Sequence, residues 1–299
     1  MPLKSLGLLL LFMGISEVLQ AEVLRVATYN VQNYLEVDRW VDGRYRPQFP
    51  KPEKEKTALR NILIEVQPDV LILQEMGSGP YLGELQADLK EEGLDFSYRY
   101  VAEGSDEERH VALLSRIQPM EVLTHSDLEF EYFEQTIPVK RGMLEAVFET
   151  GGRQWKVYGL HLKSKWSDFK EDPSSNDRRR SEALACRKRI LERQKKDELP
   201  SLVLGDLNDT KSTAPVRLLQ FRGKQGVAAA IEAFDSRGDR WTHFYKKEDS
   251  YSRIDYILKS PDFPAEVVGE QAHIYEGSDT LKASDHRLLW VDFNWVINE

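Results

Sequence analysis

The chain has 299 residues, 41% of them hydrophobic and 10% aromatic. That supplies one large apolar core and excludes a disordered chain, which lacks such residues. The net charge of -9 excludes a general electrostatic grip on nucleic acid, so a polyanionic ligand would need a cation or a local basic patch.

Lys4 opens the chain with a positive charge, an apolar stretch covers residues 6–15, and residues 16–21 are more polar and end in the small Ala21. This pattern predicts a signal peptide over residues 1–21, cleaved after Ala21, and a secreted or periplasmic protein. The apolar stretch is short of the ~20 residues of a spanning helix, so no stable membrane insertion is expected after cleavage. An uncleaved anchor or a buried N-terminal helix is the alternative. Cleavage removes Lys4 and Glu17, which leaves the net charge at -9.

Residues 23–31 alternate apolar and polar side chains, which predicts a strand. A polar and aromatic loop with Trp40, Arg44, Tyr45 and Arg46 is expected over 32–52. Pro52, followed by Glu53, Glu55 and Lys56, marks a helix start. Leu59, Ile62, Leu63 and Val66 form that helix's apolar face, and Pro68 ends it. The continuous apolar run at 70–73 reads as a buried strand, and 81–92 as a helix. Strands are expected at 111–114, 144–148, 155–162, 202–204, 254–258 and 288–293. Residues 178–196 form the clearest long helix, with Cys186 on its apolar side near Leu184, Ile190 and Leu191. Cys186 is the only cysteine, which excludes disulfides within the chain, and nothing around it marks a nucleophile. No linker or repeat interrupts the pattern, so residues 22–299 are expected to form one mixed α/β domain.

Polar residues recur at the ends of the apolar strands. Asn30 ends the first. Glu75 follows Leu71-Ile72-Leu73-Gln74, and His161 and Lys163 close the 155–162 run. Asp206 and Asn208 follow Leu202-Val203-Leu204-Gly205. Asp255 lies within Arg253-Ile254-Asp255-Tyr256, and Asp285 and His286 precede the last strand. Strand ends are where open α/β sheets place ligands. Each residue alone has a plainer reading: Asn30 as a turn cap, Glu75 as a loop carboxylate, Asp206 with Asn208 as an Asx turn.

Taken in order, these segments resemble the endonuclease/exonuclease/phosphatase superfamily. The matching blocks are Thr28-Tyr29-Asn30-Val31, Leu73-Gln74-Glu75, Gly159-Leu160-His161-Leu162-Lys163-Ser164, Gly205-Asp206-Leu207-Asn208 and Ser284-Asp285-His286, with Arg253-Ile254-Asp255-Tyr256 as a sixth. The resemblance implies a four-layered α/β sandwich, two packed mixed β-sheets flanked by helices. It also implies a metal-dependent phosphoesterase. Mg²⁺ is the expected cofactor, with Mn²⁺ a substitute; Glu75 would be the first ligand, Asp285 and Asn30 the next. Asp206 would orient and deprotonate the attacking water, and Asn208 would hold the phosphate. His286, fixed by Asp255, would stabilise charge on a phosphate oxygen. His161 would act near the leaving group or the phosphate.

Lys163 is expected either at the phosphate or at the surface. Where many members carry Asp or Glu after the first block, this chain has Gln32, which cannot supply a negative charge. Tyr132 lies where some nucleases place a phosphate-binding tyrosine. Arg109 or His110 is expected to face the pocket. The 164–180 loop carries Lys165, Trp166, Lys170, Arg178, Arg179 and Arg180, a mix suited to a phosphate chain. Arg180 is expected to point toward substrate or else to belong to a solvated helix end. The implied function is a secreted hydrolase of phosphodiester bonds, a nuclease of the endonuclease type acting on nucleic acid. The alternatives are a sphingomyelinase-like or small-molecule phosphatase acting on another phosphoester, and a silent binding module on the same fold.

Overall fold

The structure, a computed structural model, describes residues 21–296. The expected signal peptide, apart from Ala21, lies outside the described residues. In chain order the first elements are β1 (Ala21–Tyr34), β2 (Val37–Val41), β3 (Arg44–Phe49), α1 (Glu53–Val66), β4 (Val70–Met76) and α2 (Gly79–Glu91). Next come β5 (Tyr98–Ala102), β6 (His110–Ser115), β7 (Glu121–Thr124), β8 (Glu129–Tyr132), β9 (Gln135–Pro138), β10 (Leu144–Thr150) and β11 (Arg153–His161). They are followed by α3 (Asn176–Asp197), β12 (Ser201–Asp206) and α4 (Ala214–Gln220). Later strands are short except for Asp255–Lys259 and Leu289–Val296.

Two mixed sheets carry the fold. The first has 8 strands, with Leu289–Val296, β1, β4, β6 and β5 adjacent in that order. The second has 6, with Asp255–Lys259, β12, β11, β10 and β7 adjacent. Each contains a parallel pair, β1 with β4 and β11 with β12, among antiparallel neighbours. The sequence pattern explains how they stack. Along β4, Val70 and Ile72 enter the core between the sheets with Val26, Leu144, Val157 and Leu204. Leu71 and Leu73 point the other way, against Leu59, Ile62, Leu63, Leu82 and Leu85 of α1 and α2. A strand covered on both faces is apolar at every position, which is why this run lacks alternation. On the second sheet, Tyr158, Leu160 and Val203 meet Ala183, Cys186 and Ile190 of α3 and Val216 and Leu219 of α4. The result is helix, sheet, sheet, helix: the expected four-layered sandwich.

Local signals set several boundaries. α1 begins after Pro52 and ends at Gln67, which adopts the left-handed conformation (φ 53°) just before Pro68. Cys186 lies buried in α3, and burial pushes its thiol pKa far up, so it is packing material. The 32–52 segment departs from expectation, because β2 and β3 pair as a hairpin there. Its turn is Asp42-Gly43, both at positive φ (50° and 74°), the pairing that two-residue hairpin turns favour. The hairpin escaped the pattern because β3 is exposed along most of its length, so no apolar alternation marks it. β5, β7, β8 and β9 were also unmarked, being short and half exposed.

Candidate active site

Strand direction gathers the polar strand-end residues. The parallel pair β1 and β4 brings Asn30 and Glu75 to one edge of the first sheet, and β11 and β12 end together on His161 and Asp206. Asp255 opens a strand antiparallel to β12 and lies in register with Asp206. Asp285 and His286 precede a strand antiparallel to β1. Strands running one way end where their antiparallel neighbours begin, so residues from six segments meet at the same end of the sandwich.

The backbone there is strained. Glu75 (φ 59°), Gln32 (φ 48°), Asn33 (φ 56°) and Asn208 (φ 52°) all adopt positive φ, and such residues concentrate at functional sites. Gly205, just before Asp206, has φ 143°, and a Cβ there would sit 1.9 Å from the Leu160 carbonyl oxygen. No other residue fits where β12 approaches β11 so closely.

Asp206 is the hub. Its Oδ2 accepts hydrogen bonds from Asn30 Nδ2 and Asn208 Nδ2, both at 3.1 Å. It also lies 3.6 Å from His161 Nε2 and 3.8 Å from His286 Nε2. Its Oδ1 accepts the Asn208 backbone N–H at 2.8 Å. The plainer Asx-turn reading is thus realised as well, and the turn aims the carboxylate. Burial pushes the Asp206 pKa up, His286 draws it back, and Asp255 adds to the rise.

His286 Nδ1 lies 2.9 Å from Asp255 Oδ2. Burial opposes a charge on His286, but Asp255 and then Asp206 outweigh it and raise its pKa to about 10. The ring is therefore an imidazolium at neutral pH. Asp255 is held by its surroundings: Thr242 Oγ1 accepts the backbone N–H groups of Ile254 and Asp255, each at 3.1 Å. His161 is the opposite case. Burial, followed by the positive charges of Arg141 and His286, holds it well below the ordinary imidazole value, so it is neutral. Replacing Asp255 with Asn removes the strongest group that raises the His286 pKa. Proton NMR titration of the His286 ring is expected to show that pKa falling, so the imidazolium is lost at a lower pH than in the wild type. An unchanged titration would refute the pairing.

Glu75 lies close enough to Asp285 for its charge to raise the Asp285 pKa. Glu75 Oε1 accepts from Asn30 Nδ2 at 3.3 Å, and Glu75 Oε2 from the Asn33 backbone N–H at 3.0 Å. Burial raises the Asp285 pKa, His286 opposes the rise, and Glu75 adds to it. Two carboxylates that repel in this way suit a hard divalent cation taking oxygen ligands. Asn30 is less free than expected, because its Oδ1 already accepts the Gln32 N–H at 3.0 Å and keeps one lone pair. Gln32, the departure from the family pattern, has a positioning role: its Oε1 accepts the Asp285 N–H at 3.2 Å.

Other expected residues fall elsewhere. Both Asn208 amide protons are spent, on Asp206 and on the Leu162 carbonyl oxygen at 2.9 Å, so neither is left for a phosphate. Arg180 lies on the exposed face of α3, while Arg179, one residue and about 100° away around the helix, is the buried one. Arg179 Nε donates to Asp209 and Nη1 to the Lys163 carbonyl oxygen. Tyr132 donates to Asp172 at 3.0 Å and packs on Phe133 and Phe169, closing the 164–180 loop. Arg109 and Lys163 line a cavity beside Glu75, whereas the buried His110 does not.

Sequence reading missed His243. Its ring lies 4.6 Å from that of His286, with Nε2 3.8 Å from Asp285 Oδ2. It sits in a three-residue strand, His243–Tyr245, outside every motif block, and no spacing pointed to it. Ser284, inside a recognised block, ties Asn30 to His286: its Oγ donates to the Asn30 carbonyl oxygen at 2.7 Å and accepts the His286 N–H at 3.0 Å.

The sequence matches the Endonuclease/Exonuclease/phosphatase family over residues 27–286. No curated protein matches it. Among solved structures, an endonuclease/exonuclease/phosphatase from Bacteroides vulgatus is 16% identical, with a TM-score of 0.64 over 91% of this chain and 98% of that one. The human Nocturnin catalytic domain with bound sulfate is 16% identical, with a TM-score of 0.64 over 91% and 97%. A Bacteroides thetaiotaomicron mannosyl-6-phosphatase is 17% identical, with a TM-score of 0.61 over 91% and 100%. At such identities the likeness is one of fold.

Proposed function

Because this chain belongs to the endonuclease/exonuclease/phosphatase family, whose members are divalent-metal-dependent phosphoesterases, we propose that it hydrolyses a phosphodiester by attack of water. A nuclease is the first reading. The observation that supports it is the meeting of Asp206, the His286–Asp255 pair and the Glu75–Asp285 pair at one end of the sandwich.

In this reading Glu75 and Asp285, with the Asn30 oxygen, would hold one divalent cation, Mg²⁺ or Mn²⁺, which would supply charge neutralisation at the phosphoryl group and support for the leaving oxygen. Asp206 takes the proton of the attacking water. Its raised pKa strengthens it as a base, and the Asn30 and Asn208 amides fix its orientation. The His286 imidazolium donates a hydrogen bond to a non-bridging phosphoryl oxygen whose charge grows in the transition state. His161, buried and neutral, has an Nδ1 without a hydrogen-bond partner among the described residues and serves the leaving oxygen or the phosphate without adding charge beside the base. Lys163 and Arg109 bind substrate rather than the reacting atoms. Secretion through a cleaved signal peptide belongs to the same proposal.

The test is hydrolysis of bis-p-nitrophenyl phosphate. Turnover is expected with Mg²⁺ or Mn²⁺ and is expected to vanish in EDTA and return when metal is restored. Turnover that persists in EDTA would overturn the cation's role, and metal binding without turnover would favour a binding module. A panel of plasmid DNA, single-stranded DNA, RNA, sphingomyelin and phosphomonoesters then sorts substrates. Activity confined to phosphomonoesters would overturn the diesterase reading. A lipid headgroup is the second reading, favoured by the exposed aromatics Trp40 (73% exposed), Trp166 (69%) and Phe133 (51%).

A further inference from the structure

A cavity of about 280 Å³ opens beside Glu75, and its walls include Arg109, Lys140, Arg141, Lys163 and Trp166. Four cations lining one cavity repel one another, so each must be accounted for. Arg109 Nη1 pairs with Glu108 at 2.7 Å. Asp106 is shared between Arg141 at 3.1 Å and Lys140 at 3.5 Å. Among the described residues Lys163 Nζ donates to the carbonyl oxygens of Ser164 and Trp166 and to the Ser164 hydroxyl, and it lies 5.7 Å from the centre of the Trp166 ring. Four cations face the carboxylates of Glu108 and Asp106, with Glu75 also on the cavity wall, so the cavity keeps a net positive charge. Arg141 is the telling residue. It is only 5% exposed, yet its Nη1 has no hydrogen-bond partner among the described residues. An unmet buried donor of this kind is costly unless a ligand satisfies it. The crowding also acts on Lys163, whose pKa falls to about 8 under burial and the nearby Arg141 and Lys140.

The pocket is built, not a chance cluster of surface lysines. The Glu182 carboxylate on α3, fully buried, accepts the backbone N–H of Lys140 at 3.2 Å and of Lys163 at 2.7 Å, so it holds two walls at a set spacing. Asp106 N donates to the Lys140 carbonyl oxygen at 2.8 Å. Gly104 lies so close to the Arg141 backbone that a Cβ would come within 2.6 Å of its carbonyl carbon.

We propose that this pocket is a subsite for a phosphomonoester dianion, so that the chain prefers phosphodiesters carrying a terminal phosphate next to the bond cleaved. A net positive cavity with an unmet Arg141 donor suits a dianion, and the donors match its three oxygens. A diester within a strand carries one charge and presents two such oxygens. Trp166, exposed at the rim, offers a face to the group joining the two phosphates. The inference rests on the phosphodiesterase reading and names its substrate class.

The test has two arms. The first measures kcat/KM for thymidine dinucleotides with a 5′-phosphate, with a 3′-phosphate and with neither, and for glycerophosphoinositol with and without a ring phosphate. Wild type is expected to favour one phosphorylated form by about tenfold or more, and the pair that shows the preference identifies the nucleotide or the phosphorylated small molecule as the source. Arg141→Gln is expected to erase the preference. The ratio is internal to each enzyme preparation, so partial misfolding cancels from it. The second arm titrates inorganic phosphate by calorimetry in EDTA, where no hydrolysis occurs. Binding is expected in wild type and in His286→Ala, and is expected to be lost in both Arg141→Gln and Lys140→Gln. Equal rates on every member of each pair, or phosphate binding that survives both pocket substitutions, would overturn the subsite. Phosphate binding that depends on Arg141, in an enzyme that cleaves no diester, would uphold the pocket and overturn the diesterase reading instead.

Discussion

Asp206→Asn is expected to lower kcat on bis-p-nitrophenyl phosphate by about a hundredfold or more, the usual scale for removing a positioned general base. Asparagine keeps the shape of the side chain and can still engage the Asn208 N–H, so the turn at the end of β12 should survive. What is lost is the basic oxygen at the centre of the site, which faces Asn30, Asn208, His161 and His286 together. His286→Ala is expected to cost as much, through loss of the donor to the phosphoryl oxygen. The double variant is expected to fall by much less than the product of the two losses, because base and imidazolium act on one transition state. Circular dichroism and thermal melting separate these losses from unfolding. A well-folded Asp206→Asn enzyme within about fivefold of wild type would remove Asp206 from the chemistry.

Glu145→Gln is expected to destabilise the protein by about 3–5 kcal/mol, although Glu145 is remote from the motif blocks. Glu145, on β10, and Lys156, on β11, are both fully buried between the second sheet and α3. Lys156 Nζ lies 2.8 Å from Glu145 Oε1, His125 Nε2 2.7 Å from Oε2, and Arg193 Nε 3.0 Å from both oxygens. Burial opposes the carboxylate charge, but His125, Lys156 and Arg193 together bring its pKa down to about 2. Glutamine removes the charge and leaves the fully buried Lys156 with Asp197 alone, and the partly buried Arg193 with Glu121 alone. A folded-state pKa below the unfolded value stabilises the protein above the unfolded pKa of about 4.3. That contribution is lost as pH falls through about 2. Urea unfolding at pH 7 is expected to show the full deficit, and the gap between wild type and Glu145→Gln should shrink as the pH falls from 4 toward 2. A gap that stayed constant over that range would show that the charge is not what stabilises.

Several features were legible in the sequence because short-range physics determines them. Residues 70–73 are apolar without alternation because β4 is covered on both faces, and that is visible without knowing what covers it. Pro52 and Pro68 bracket α1 through their own backbone restrictions. The blocks around Asn30, Glu75, Asp206 and His286 stand at or near strand ends, where an apolar run gives way to polar side chains. The sandwich of two mixed sheets was implied by the family resemblance that those blocks carry in order.

Other features required the folded chain. The hairpin at Val37–Val41 and Arg44–Phe49 has few buried residues, so only its Asp42-Gly43 turn carried a signal. Whether Arg179 or Arg180 turned inward depended on the phase of α3 against the second sheet. Asn208 has the right chemistry for a phosphate, but the Leu162 carbonyl oxygen, 46 residues away, takes one of its protons. His243 reaches Asp285, and Arg141 and Lys163 share a cavity, only because the sheets bring those segments together. Sequence by itself determined which residue types lie at the strand ends and with what local periodicity. Tertiary structure decided which of their donors, acceptors and charges are already satisfied inside the protein and which stay open to a ligand, because those partners come from distant parts of the chain.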